Sequence, residues 1–501
     1  MHSNLLSTRK VTSQTAYCQL LTCRDRCFFA STLTPSSSSY PSLQFGALHA
    51  TVSRSSFAMS LNGKGFSEQF SPRRVLVLGS GAREHALVRA LAASPHRPLL
   101  FVAPGHDALR ADTSHLFACL DAPAQHDLLC ELCLAHQIDL VVVGPEVPLS
   151  QGVVDTLQLA NIPVIGPTQS AARLESSKLF AKHYLHIADA PCAPWQELPP
   201  SFDEAVAQLS SGDISFPCML KADGLASGKG SFLVRDLAHA RDILHDLLVA
   251  RTLGEAGARV LVEQLLHGTE LSYIVLTDGE HVVPFSTSQD YKRLRAESDA
   301  PNTGGMGAIS PAPECTPEIE AVILDEILRP LLRALREDGI VYRGFLYLGL
   351  MLTDEGPKVL EINVRLGDPE AQVLLGVPGS PDLLDALCAL VTGSLGEWGE
   401  GHLRHEEHVV CVVSASEGYP SLATRGTLIP ALRDEHLNDR DIFGAGLCRD
   451  DEADVWRTCG GRVLSVRGRA STREEARRLA YALSDRFDWD GRQRREDIGE
   501  E

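Results

Sequence analysis

Short apolar runs alternate with amphipathic stretches in the part of the chain that follows residue 73. Residues 75–78, 139–143 and 164–165 are apolar except for Asp139, and each run ends in a turn that contains glycine or proline. An apolar-periodic stretch follows the first run and predicts a helix. Strands that alternate with helices in this way predict an open parallel sheet, which binds ligands at the carboxyl ends of its strands.

Farther along, two segments have a strand pattern that ends in or carries polar side chains. One apolar run ends in Lys221. In residues 358–365 polar and apolar positions alternate, so Glu361, Asn363 and Arg365 are expected on one face of a strand and the intervening apolar residues on the other. A strand face of this kind can line a site, although a polar face in solvent is the alternative interpretation.

The last hundred residues contain short apolar runs at 409–413 and 463–466, with glycine-rich turns near them. Residues 473–483 have helical periodicity. This pattern predicts a region of short strands closed by one helix.

The first sixty residues differ from the rest in composition. They are rich in Ser and Thr, with four consecutive serines at 36–39, and their only acid is Asp25 among several Arg and Lys residues. This composition is typical of an organellar transit peptide, and the excess of Ser and Thr over Arg favours the chloroplast stroma over the mitochondrion. An untargeted disordered tail is the alternative. We expect residues 1–65 to form such a leader and the protein to be imported.

Composition excludes several classes of function. The chain has 501 residues, 44% of them hydrophobic, and a formal net charge of −19, which argues against a general nucleic-acid binder. No run of eighteen apolar residues occurs, so we expect no membrane span. Cys130 and Cys133 form a CxxC pair without a second pair of zinc ligands, and we expect them to be buried thiols.

The turn after the first apolar run contains Gly79 and Gly81. A dinucleotide fingerprint would require a third glycine where Glu84 stands, so NAD is disfavoured. Two glycines before a helix present backbone N–H groups that suit a phosphate, and Arg83 could add a charged fork to it. For Arg83 and His85 a solvated helix start is an equally good interpretation.

A glycine-rich loop over residues 222–230 follows Lys221. Gly224 and Gly228 enclose three residues instead of the four of a Walker loop. A strand–loop–strand flap fits better, in which backbone amides cover phosphates and Lys221 and Lys229 neutralise them.

Glu361 and Asn363 are a candidate metal site. A carboxylate and an amide oxygen side by side are hard ligands that can hold Mg²⁺ against ATP oxygens. Arg365 is placed to clamp a transferring phosphoryl group. The Gly-Asp-Pro-Glu turn at 367–370 is unusual after a solvent-facing strand, which favours a metal site over a polar strand face in solvent.

Six motifs, in their order and spacing, resemble the phosphoribosylamine–glycine ligase family of the ATP-grasp superfamily. The motifs are residues 79–87, 143–146, 220–226, 288–293, 301–308 and 365–370. The likeness runs from about residue 75 to 498, and the tracts 302–308 and 367–370 are its most specific parts. It implies a multidomain α/β and α+β fold with three parts. These are an N-terminal open parallel α/β sheet domain (74–172), a central ATP-grasp domain (173–395) and a C-terminal β-rich domain (405–498).

The resemblance also implies an activity. Members ligate glycine to 5-phosphoribosylamine in the second step of de novo purine synthesis, giving glycinamide ribonucleotide, ADP and phosphate through a glycyl phosphate. The partners implied are these small molecules and ATP with Mg²⁺ or Mn²⁺, with neither nucleic acid nor membrane. Catalysis would rest on positioning and charge neutralisation. The sequence shows no fused cyclo-ligase or transformylase domain, so we expect a monofunctional ligase.

Site residues follow from the matched motifs. Catalytic roles would fall to Arg365, Asp368 and Lys229, and metal binding to Glu361 and Asn363. The ATP contacts, with the two acids beside adenine and ribose, would be Lys178, Lys221, Gly224, Leu225, Ala226, Ser227, Gly228, Lys229, Glu263 and Glu270. The substrate contacts would be Gly79, Gly81, Arg83, Glu84, Gly105, Pro145, Glu146, Asp290, Lys292, Asn302, Thr303, Gly304, Gly305, Met306 and Gly307.

Four places depart from the family pattern, and one of them, Gln264 in place of a common Glu, matters little if backbone groups there bind adenine. Ala82 stands where the family usually has Gly, and His-Asp-Ala at 106–108 replaces Asn-Ala-Gly. The strand at 345–352 carries no acid, whereas many ATP-grasp enzymes place a metal carboxylate there. We therefore expect altered substrate contacts near 106–108 and a metal held by two side chains, water and phosphate oxygens.

Two other functions stay open at this point. Another ATP-grasp carboxylate–amine ligase would share the metal strand but lack the tract 302–308. A nucleotide-binding regulator without catalysis would keep the nucleotide groups yet release no ADP in response to glycine.

Overall fold

The computed structural model describes residues 70–112, 116–122, 125–211, 214–226, 229–297, 300–398 and 402–500. They belong to a compact unit of residues 65–501. The expected leader and two residues of the flap, Ser227 and Gly228, lie outside the described part of the chain.

The N-terminal region is built on a five-stranded sheet with the order β3-β2-β1-β4-β5, and every neighbouring pair is parallel. The predicted open parallel sheet is therefore confirmed. Its strands are β1 (Arg74–Gly79), β2 (Leu99–Pro104), β3 (Leu116–Cys119), β4 (Leu140–Val143) and β5 (Val164–Ile165). The helices are α1 (Ala82–Ala92), α2 (Asp107–Ala111), α3 (His126–Ala135), α4 (Glu146–Ser150), α5 (Val153–Leu159) and α6 (Gln169–Ser176).

The strand order reverses between β1 and β4, because β2 and β3 are added on one side of β1 and β4 and β5 on the other, and open α/β sheets bind ligands in the crevice at such a point. Gly79 ends β1 and Gly144 follows β4, so two residues without side chains flank that crevice.

Two antiparallel four-stranded sheets form the central region, with orders β6-β9-β7-β8 and β11-β10-β14-β15. The predicted strand–loop–strand flap is the pair β7–β8. The strands up to residue 363 are β6 (Trp195–Glu197), β7 (Cys218–Ala222), β8 (Ser231–Val234), β9 (Val260–Gln264), β10 (Thr269–Thr277), β11 (Val282–Pro284), β12 (Gln289–Asp290), β13 (Gly307–Ser310), β14 (Gly344–Thr353) and β15 (Gly356–Asn363). The helices are α7 (Lys178–Ile187), α8 (Phe202–Ser211), α9 (Leu237–Leu244), α10 (Pro317–Val322), α11 (Arg329–Glu337), α12 (Glu370–Leu374) and α13 (Leu383–Thr392).

A β-bulge interrupts the pairing of β14 with β15. Gly349 pairs with Glu361 and Leu350 pairs with Val359, so Leu360 is left over. Strict alternation placed Leu360 on the apolar face, and this was wrong because the bulge shifts the register. Val359 and Ile362 fill the core instead, and Leu360 is only half-buried.

The C-terminal sheet has the order β12-β13-β16-β20-β17. Two strands from the sequence range 173–395, β12 and β13, therefore pair within this last sheet, and the segment between them is held against it. The remaining elements are β16 (His408–Ala415), β17 (Ile442–Gly444), β18 (Leu447–Asp450), β19 (Val455–Thr458), β20 (Arg462–Ala470) and α14 (Arg473–Ser484).

The apolar runs found in the sequence supply the core. Residues of β1 and α1 share a buried cluster with α13 and β14, which joins the N-terminal sheet to the central region. Cys130 and Cys133 are buried in a second cluster, as expected for structural thiols. Within the described ranges, no helix has the length and apolar character needed to cross a membrane.

Candidate active site

Lys221 and Glu263 face each other on the neighbouring strands β7 and β9. The Nζ of Lys221 donates to Glu263 Oε2 at 2.8 Å and to the carbonyl oxygen of Leu360 at 3.0 Å. Lys182 Nζ lies 3.2 Å from the other carboxylate oxygen, and Glu263 is 2% exposed. Burial favours the neutral acid, but Lys221 and Lys182 hold the pKa of Glu263 below its ordinary value.

The position of Glu263 beside adenine and ribose stays a prediction; in the structure its carboxylate accepts from Lys221 and lies 3.2 Å from Lys182. Sequence reasoning missed Lys182. It lies four residues after Lys178 on α7, a spacing that puts both on one helix face and could have revealed it.

The start of α7 is tied to the base of the flap. Asp223 Oδ1 accepts from the Leu179 N–H at 2.9 Å and from the Ser177 hydroxyl at 3.0 Å. Lys178 Nζ donates to the Gly224 carbonyl at 3.3 Å. The pKa of Lys178 is lowered, chiefly by burial and also by the nearby charge of Lys221. The acids Glu361, Asp223 and Glu263 only partly offset this effect. Two ammonium groups thus converge where the flap begins.

The flap itself begins with a close backbone contact. A Cβ on Gly224 would lie 2.6 Å from the Cα of Ala256, so this position requires glycine. Leu225 and Ala226 follow, and the Lys229 N–H donates to the Ala226 carbonyl at 2.8 Å while its side chain is exposed.

Lys292 bridges two acids across the second central sheet. Its Nζ lies 3.2 Å from Glu270 Oε2 and 3.2 Å from Glu361 Oε1. Lys292 first, followed by Lys221, lowers the pKa of Glu361 to about 2 in spite of burial. Burial lowers the pKa of Lys292 but these acids raise it well above its usual value.

Glu270 was expected beside Glu263 at the nucleoside, yet the structure gives the two acids different lysine partners. Between the strands of Glu270 and Glu361 runs β14, which carries no acid and pairs Gly349 with Glu361. A Cβ on Gly349 would lie 2.8 Å from Glu361 Cγ, so glycine makes room for that side chain.

Arg365 is held by acids from two helices of the N-terminal region. Its Nη2 donates to Asn363 Oδ1 at 3.2 Å and lies 2.8 Å from Glu175 Oε1, while Nε lies 3.4 Å from Glu146 Oε2. Burial lowers the pKa of Arg365, but Glu175 and Glu146 outweigh it and raise the pKa. The guanidinium is thereby fixed beside the candidate metal ligand Asn363.

Glu175 was missed in the sequence. It is buried near the end of α6, and its Oε2 also accepts from the Val364 N–H at 2.8 Å. Nothing local in the sequence marks it, because its partners lie about 190 residues away.

The donor set at Glu361 and Asn363 suits a divalent ion. Glu361 is ionised, and the amide oxygen of Asn363 follows two residues later on the same strand. A carboxylate and an amide oxygen are the hard ligands that Mg²⁺ and Mn²⁺ accept. The Lys292 ammonium at 3.2 Å supplies positive charge at the same place.

In the N-terminal crevice, the Glu84 carboxylate fills the space between Gly79 and Gly144. Glu84 Oε2 accepts from the Gly81 N–H at 2.5 Å, and a Cβ on Gly144 would lie 2.1 Å from Oε1. The Glu84 carboxylate thus caps the Gly81 amide, and Gly79 and Gly81 leave room for it. The phosphate contact expected at this turn stays a prediction.

Arg83 and His85 are both buried, so the solvated helix start is wrong for both. Arg83 donates from Nε to Glu84 at 2.7 Å and from Nη1 to the Leu366 carbonyl at 3.2 Å. His85 lies 3.2 Å from Asp112 Oδ2 and accepts from the backbone of the C-terminal region. These contacts join α1 to the other two regions.

The other predicted residues of this edge lie close by. The Gly105 N–H donates to the Gly79 carbonyl at 3.0 Å, which connects the turns after β1 and β2. Pro145 precedes α4, and the Glu146 carboxylate lies 3.9 Å from Arg83 and 3.4 Å from Arg365. Although burial opposes it, Arg365 and Arg83 lower the pKa of Glu146.

The loop between β12 and β13 carries the tract from Asn302 to Gly307. Asn302 forms a bridge with Arg293, and the Thr303 N–H and hydroxyl both donate to the Lys292 carbonyl, at 2.7 and 2.8 Å. Gly305 has a φ of +105°, and a Cβ there would lie 2.6 Å from Asp290 Oδ1. The tract thus holds its backbone against Asp290 and Lys292, as expected for a substrate loop.

Two members of this tract point away from the loop surface. The Met306 side chain is fully buried with Leu294, Ala415 and Tyr419. Gly307 belongs to β13, where a Cβ would lie 2.6 Å from the Cys411 carbonyl oxygen. The Met306 side chain therefore anchors the loop in the core, and the part of Met306 in substrate binding stays a prediction.

The buried acid Glu370 bonds to Tyr347 and acts electrostatically on the half-buried Asp290. The Tyr347 hydroxyl donates to Glu370 Oε1 at 2.7 Å, and the Ser272 hydroxyl donates to the same oxygen at 3.3 Å. Burial first and Glu370 second raise the pKa of Asp290 well above its usual value. Sequence reasoning had assigned no role to Tyr347 or Ser272, which are ordinary strand residues in the sequence.

Asp368 has both carboxylate oxygens engaged. Oδ1 accepts from Gln372 Nε2 at 2.7 Å, and Oδ2 lies 3.0 Å from Arg462 Nη2. A Cβ on Gly81 would lie 3.6 Å from Oδ2, so the Asp368 turn faces the N-terminal glycine turn. Asp368 thus lies near the candidate reaction centre, and neighbouring side chains hold both of its carboxylate oxygens.

The candidate active site extends from the flap to the crevice of the N-terminal sheet. Ammonium groups and the flap gather at one end, where they can neutralise a polyphosphate. At the other end the N-terminal crevice, the 302–307 loop and the 367–370 turn meet around Arg365. A carboxylate–amide pair lies between the two ends, which is an arrangement suited to phosphoryl transfer to a small acceptor.

Sequence comparison finds three consecutive domains of one family. Residues 73–175 match the phosphoribosylglycinamide synthetase N domain, residues 176–371 its ATP-grasp (A) domain and residues 409–501 its C domain. Phosphoribosylamine–glycine ligase of Escherichia coli K12 is 40% identical over 435 residues, covering 85% of this chain and 98% of the relative. The Caldanaerobacter subterraneus enzyme of the same name is 37% identical, covering 85% and 99%.

Solved structures agree with the sequence matches. Phosphoribosylamine–glycine ligase of Thermotoga maritima superimposes with a TM-score of 0.68 at 31% identity, covering 85% of this chain and 99% of that one. Biotin carboxylase of Campylobacter jejuni gives a TM-score of 0.63 at 15% identity, covering 84% and 93%, which shows a shared fold alone. The central region is therefore an ATP-grasp fold.

Proposed function

Because the chain belongs to the phosphoribosylglycinamide synthetase family, we propose that it joins glycine to 5-phosphoribosylamine with ATP, releasing ADP and phosphate. This is an ATP-dependent ligation of purine nucleotide synthesis. One observation carries the proposal. The carboxylate–amide pair Glu361 and Asn363, with Arg365 beside it, lies between the lysine-rich flap and the substrate loop of a chain that matches the family over all three domains.

The ATP phosphates would lie under the flap. Lys178 and Lys221 converge at its base, and Lys229 extends from it into solvent. Ammonium groups and flap amides neutralise the charge that moves when the γ-phosphoryl group is transferred. Glu263 would act indirectly, because it holds Lys221 and Lys182 in place.

Glu361 and Asn363 would hold Mg²⁺ or Mn²⁺, with phosphate oxygens and water completing the coordination. When bound, the ion would neutralise phosphate oxygens and align the γ-phosphoryl group with its acceptor. Arg365 stays protonated between Glu175 and Glu146 and is fixed beside Asn363. It is the cation best placed to meet the transferring phosphoryl group.

Glycine and phosphoribosylamine would bind where the 302–307 loop, Asp290 and the N-terminal crevice meet. ATP would phosphorylate the glycine carboxylate to glycyl phosphate, and the amine of the second substrate would attack the acyl carbon and expel phosphate. Burial and Glu370 raise the pKa of Asp290, so its carboxylate, when ionised, would be a stronger base that can take the amine proton at this end. No protein nucleophile is needed, because phosphate is the leaving group.

Domain limits of 74–172, 173–395 and 405–498 and an imported location also belong to this proposal. The family match begins at residue 73, so the Ser- and Thr-rich segment before it lies outside the matched part. Its composition supports a transit leader, with the chloroplast stroma as the destination.

The test is ADP release by the purified chain with ATP and Mg²⁺, with phosphoribosylamine generated in the assay. We expect rapid ADP release only when glycine and phosphoribosylamine are both present, together with a glycinamide ribonucleotide product detected by mass. ADP release that ignores glycine would contradict the proposal, and release with a different amine or acid would favour another ATP-grasp ligase.

A further inference from the structure

Arg462, the first residue of β20, places its guanidinium between two segments of the candidate active site. Its Nη1 donates to the carbonyl oxygens of Gly304 and Asp368, and lies 3.4 Å from that of Gly305. Its Nη2 lies 3.0 Å from Asp368 Oδ2. One side chain of the C-terminal region thus bonds both the substrate loop and the Gly-Asp-Pro-Glu turn.

The same region holds the loop in two more ways. The Tyr419 hydroxyl accepts from the Gly304 N–H at 3.0 Å. A Cβ on Gly461 would lie 2.5 Å from the Tyr419 ring, so the glycine before Arg462 lets this ring approach. Met306 is buried against the same tyrosine. These contacts converge on residues 304–306 and leave the loop little freedom to shift.

The turn at Asp368 is held as tightly and faces the third region. Gln372 donates to its Oδ1 at 2.7 Å, and Arg462 pairs with its Oδ2. Gly81 of the N-terminal turn lies next to Oδ2. Arg462 therefore acts at the point where elements of all three regions meet.

The chemistry of this contact requires arginine. A guanidinium presents several N–H groups in one rigid plane and can bond two carbonyl groups and a carboxylate together. A lysine ammonium keeps the charge but cannot reproduce that planar fork. Burial lowers the pKa of Arg462, but Asp368 outweighs it, so the group stays charged.

We propose that Arg462 is a positioning residue of the ligation, which sets the distance between the 304–305 backbone and the Asp368 turn so that the amine meets the acyl phosphate. This inference rests on the proposed function. Arg462 acts through the backbone that it holds. ATP binding takes place on the far side of Glu361, around Lys221, and should depend little on it.

If the 304–305 backbone and the Asp368 turn were held less firmly, the attack of the amine on glycyl phosphate would be slowed most. Glycyl phosphate would still form at Arg365, but the amine would meet it less often, so water would hydrolyse more of it. Hydrolysis consumes ATP and returns glycine and phosphate without product. The specific signature of Arg462 is therefore a rise in ADP formed per ligated product, which a loss of overall stability alone would not cause.

The test compares Arg462→Lys with the matched control Arg469→Lys on the same strand. Arg469 pairs only with Glu407 and Asp441, at 3.0 Å each, among the described residues. We expect Arg462→Lys to lower kcat about 10- to 100-fold and to raise the ADP-to-product ratio clearly above one, with the KM for ATP little changed. Arg469→Lys should keep a ratio of one.

An unchanged ratio and kcat in Arg462→Lys would overturn the inference, as would an equal rise in Arg469→Lys. If Arg462→Lys does not fold, Tyr419→Phe decides, because it removes the hydroxyl bonded to Gly304 and keeps the ring. A raised ratio in Tyr419→Phe supports the inference and an unchanged ratio overturns it. Failure of the wild-type chain to make product in the same assay would instead refute the proposed function.

Discussion

The Lys292 ammonium lies 3.2 Å from the Glu361 carboxylate and keeps that acid ionised far below neutral pH. The same ammonium lies 3.2 Å from Glu270 on the other side of β14. Positive charge is thus present at the candidate metal site within the protein itself. Because Glu361 has a pKa of about 2, protonation of this ligand cannot limit metal binding between pH 5 and 8.

Glu361→Gln removes the anionic member of the metal pair and keeps its shape. We expect product formation to fall at least about tenfold at saturating Mg²⁺, because a neutral amide is a far weaker ligand. The thermal unfolding midpoint should fall as well, because the variant loses the ion pair with Lys292, so activity is measured well below that midpoint. Glu355→Gln is the control, since Glu355 is an exposed acid at the turn between β14 and β15 that pairs with Lys358. Near wild-type activity of Glu361→Gln would refute the metal assignment.

Lys229→Ala tests the role of the flap lysine. Its side chain is exposed, so it is available to a bound phosphate. We expect kcat to fall about tenfold or more and the KM for ATP to change less, because charge builds up on the transferring group only in the transition state. Arg235→Ala, a nearby exposed cation beyond β8, should leave both constants unchanged. A raised KM at constant kcat would assign Lys229 to ground-state binding alone.

His106→Asn should make the protein less sensitive to acid. Burial first, and then nearby His85 and Arg110, lower the pKa of His106 to about 3. The folded state therefore binds fewer protons than the unfolded state between about pH 3 and 6.5, and stability falls as pH drops below 6.5. At pH 5 the cost is about 1–2 kcal/mol.

Asn can replace the cap that His106 gives to the Leu109 N–H, so the variant should fold. The measurement is the difference in thermal unfolding midpoint between pH 7 and pH 5, which should shrink in His106→Asn. Exposed His183→Asn serves as the control and should keep the wild-type difference. Equal acid sensitivity of wild type and His106→Asn would show that His106 charges freely in the folded protein.

Removal of residues 1–64 should leave the unfolding midpoint and the ligase activity unchanged, because residues 65–501 form their own compact unit and the family match starts at residue 73. A fluorescent protein fused to residues 1–65 should accumulate in chloroplasts. Diffuse fluorescence in the cytosol would contradict the transit interpretation. Mitochondrial fluorescence would correct only the destination.

Local pattern was enough to predict much of the fold. Residues 75–78 and 140–143 form the central parallel strands, because strands that are buried on both faces require continuous apolar runs. Helix α1 lies where the spacing of apolar residues predicted a helix. The bulge at Leu360 was not predictable, since register depends on the partner strand. The sequence contains no signal for the partner.

The candidate site was predicted where motifs are contiguous and missed where contacts are distant. Asp290, Lys292 and Glu361 were found and lie close together. Glu175 and Arg462 escaped because each acts on residues about 100 to 190 positions away. The glycine turn was interpreted as a phosphate site, and the acid that caps it in the structure, Glu84, follows Gly81 by three residues.

In the proposed reaction, ATP activates the glycine carboxylate as an acyl phosphate. Glycine labelled with ¹⁸O in both carboxylate oxygens tests it most directly, with phosphoribosylamine, ATP and Mg²⁺ present and the released phosphate analysed by mass. One ¹⁸O atom is expected in each phosphate released and one in the amide product, because the bridging oxygen leaves with phosphorus. Phosphate without ¹⁸O during product formation would contradict it.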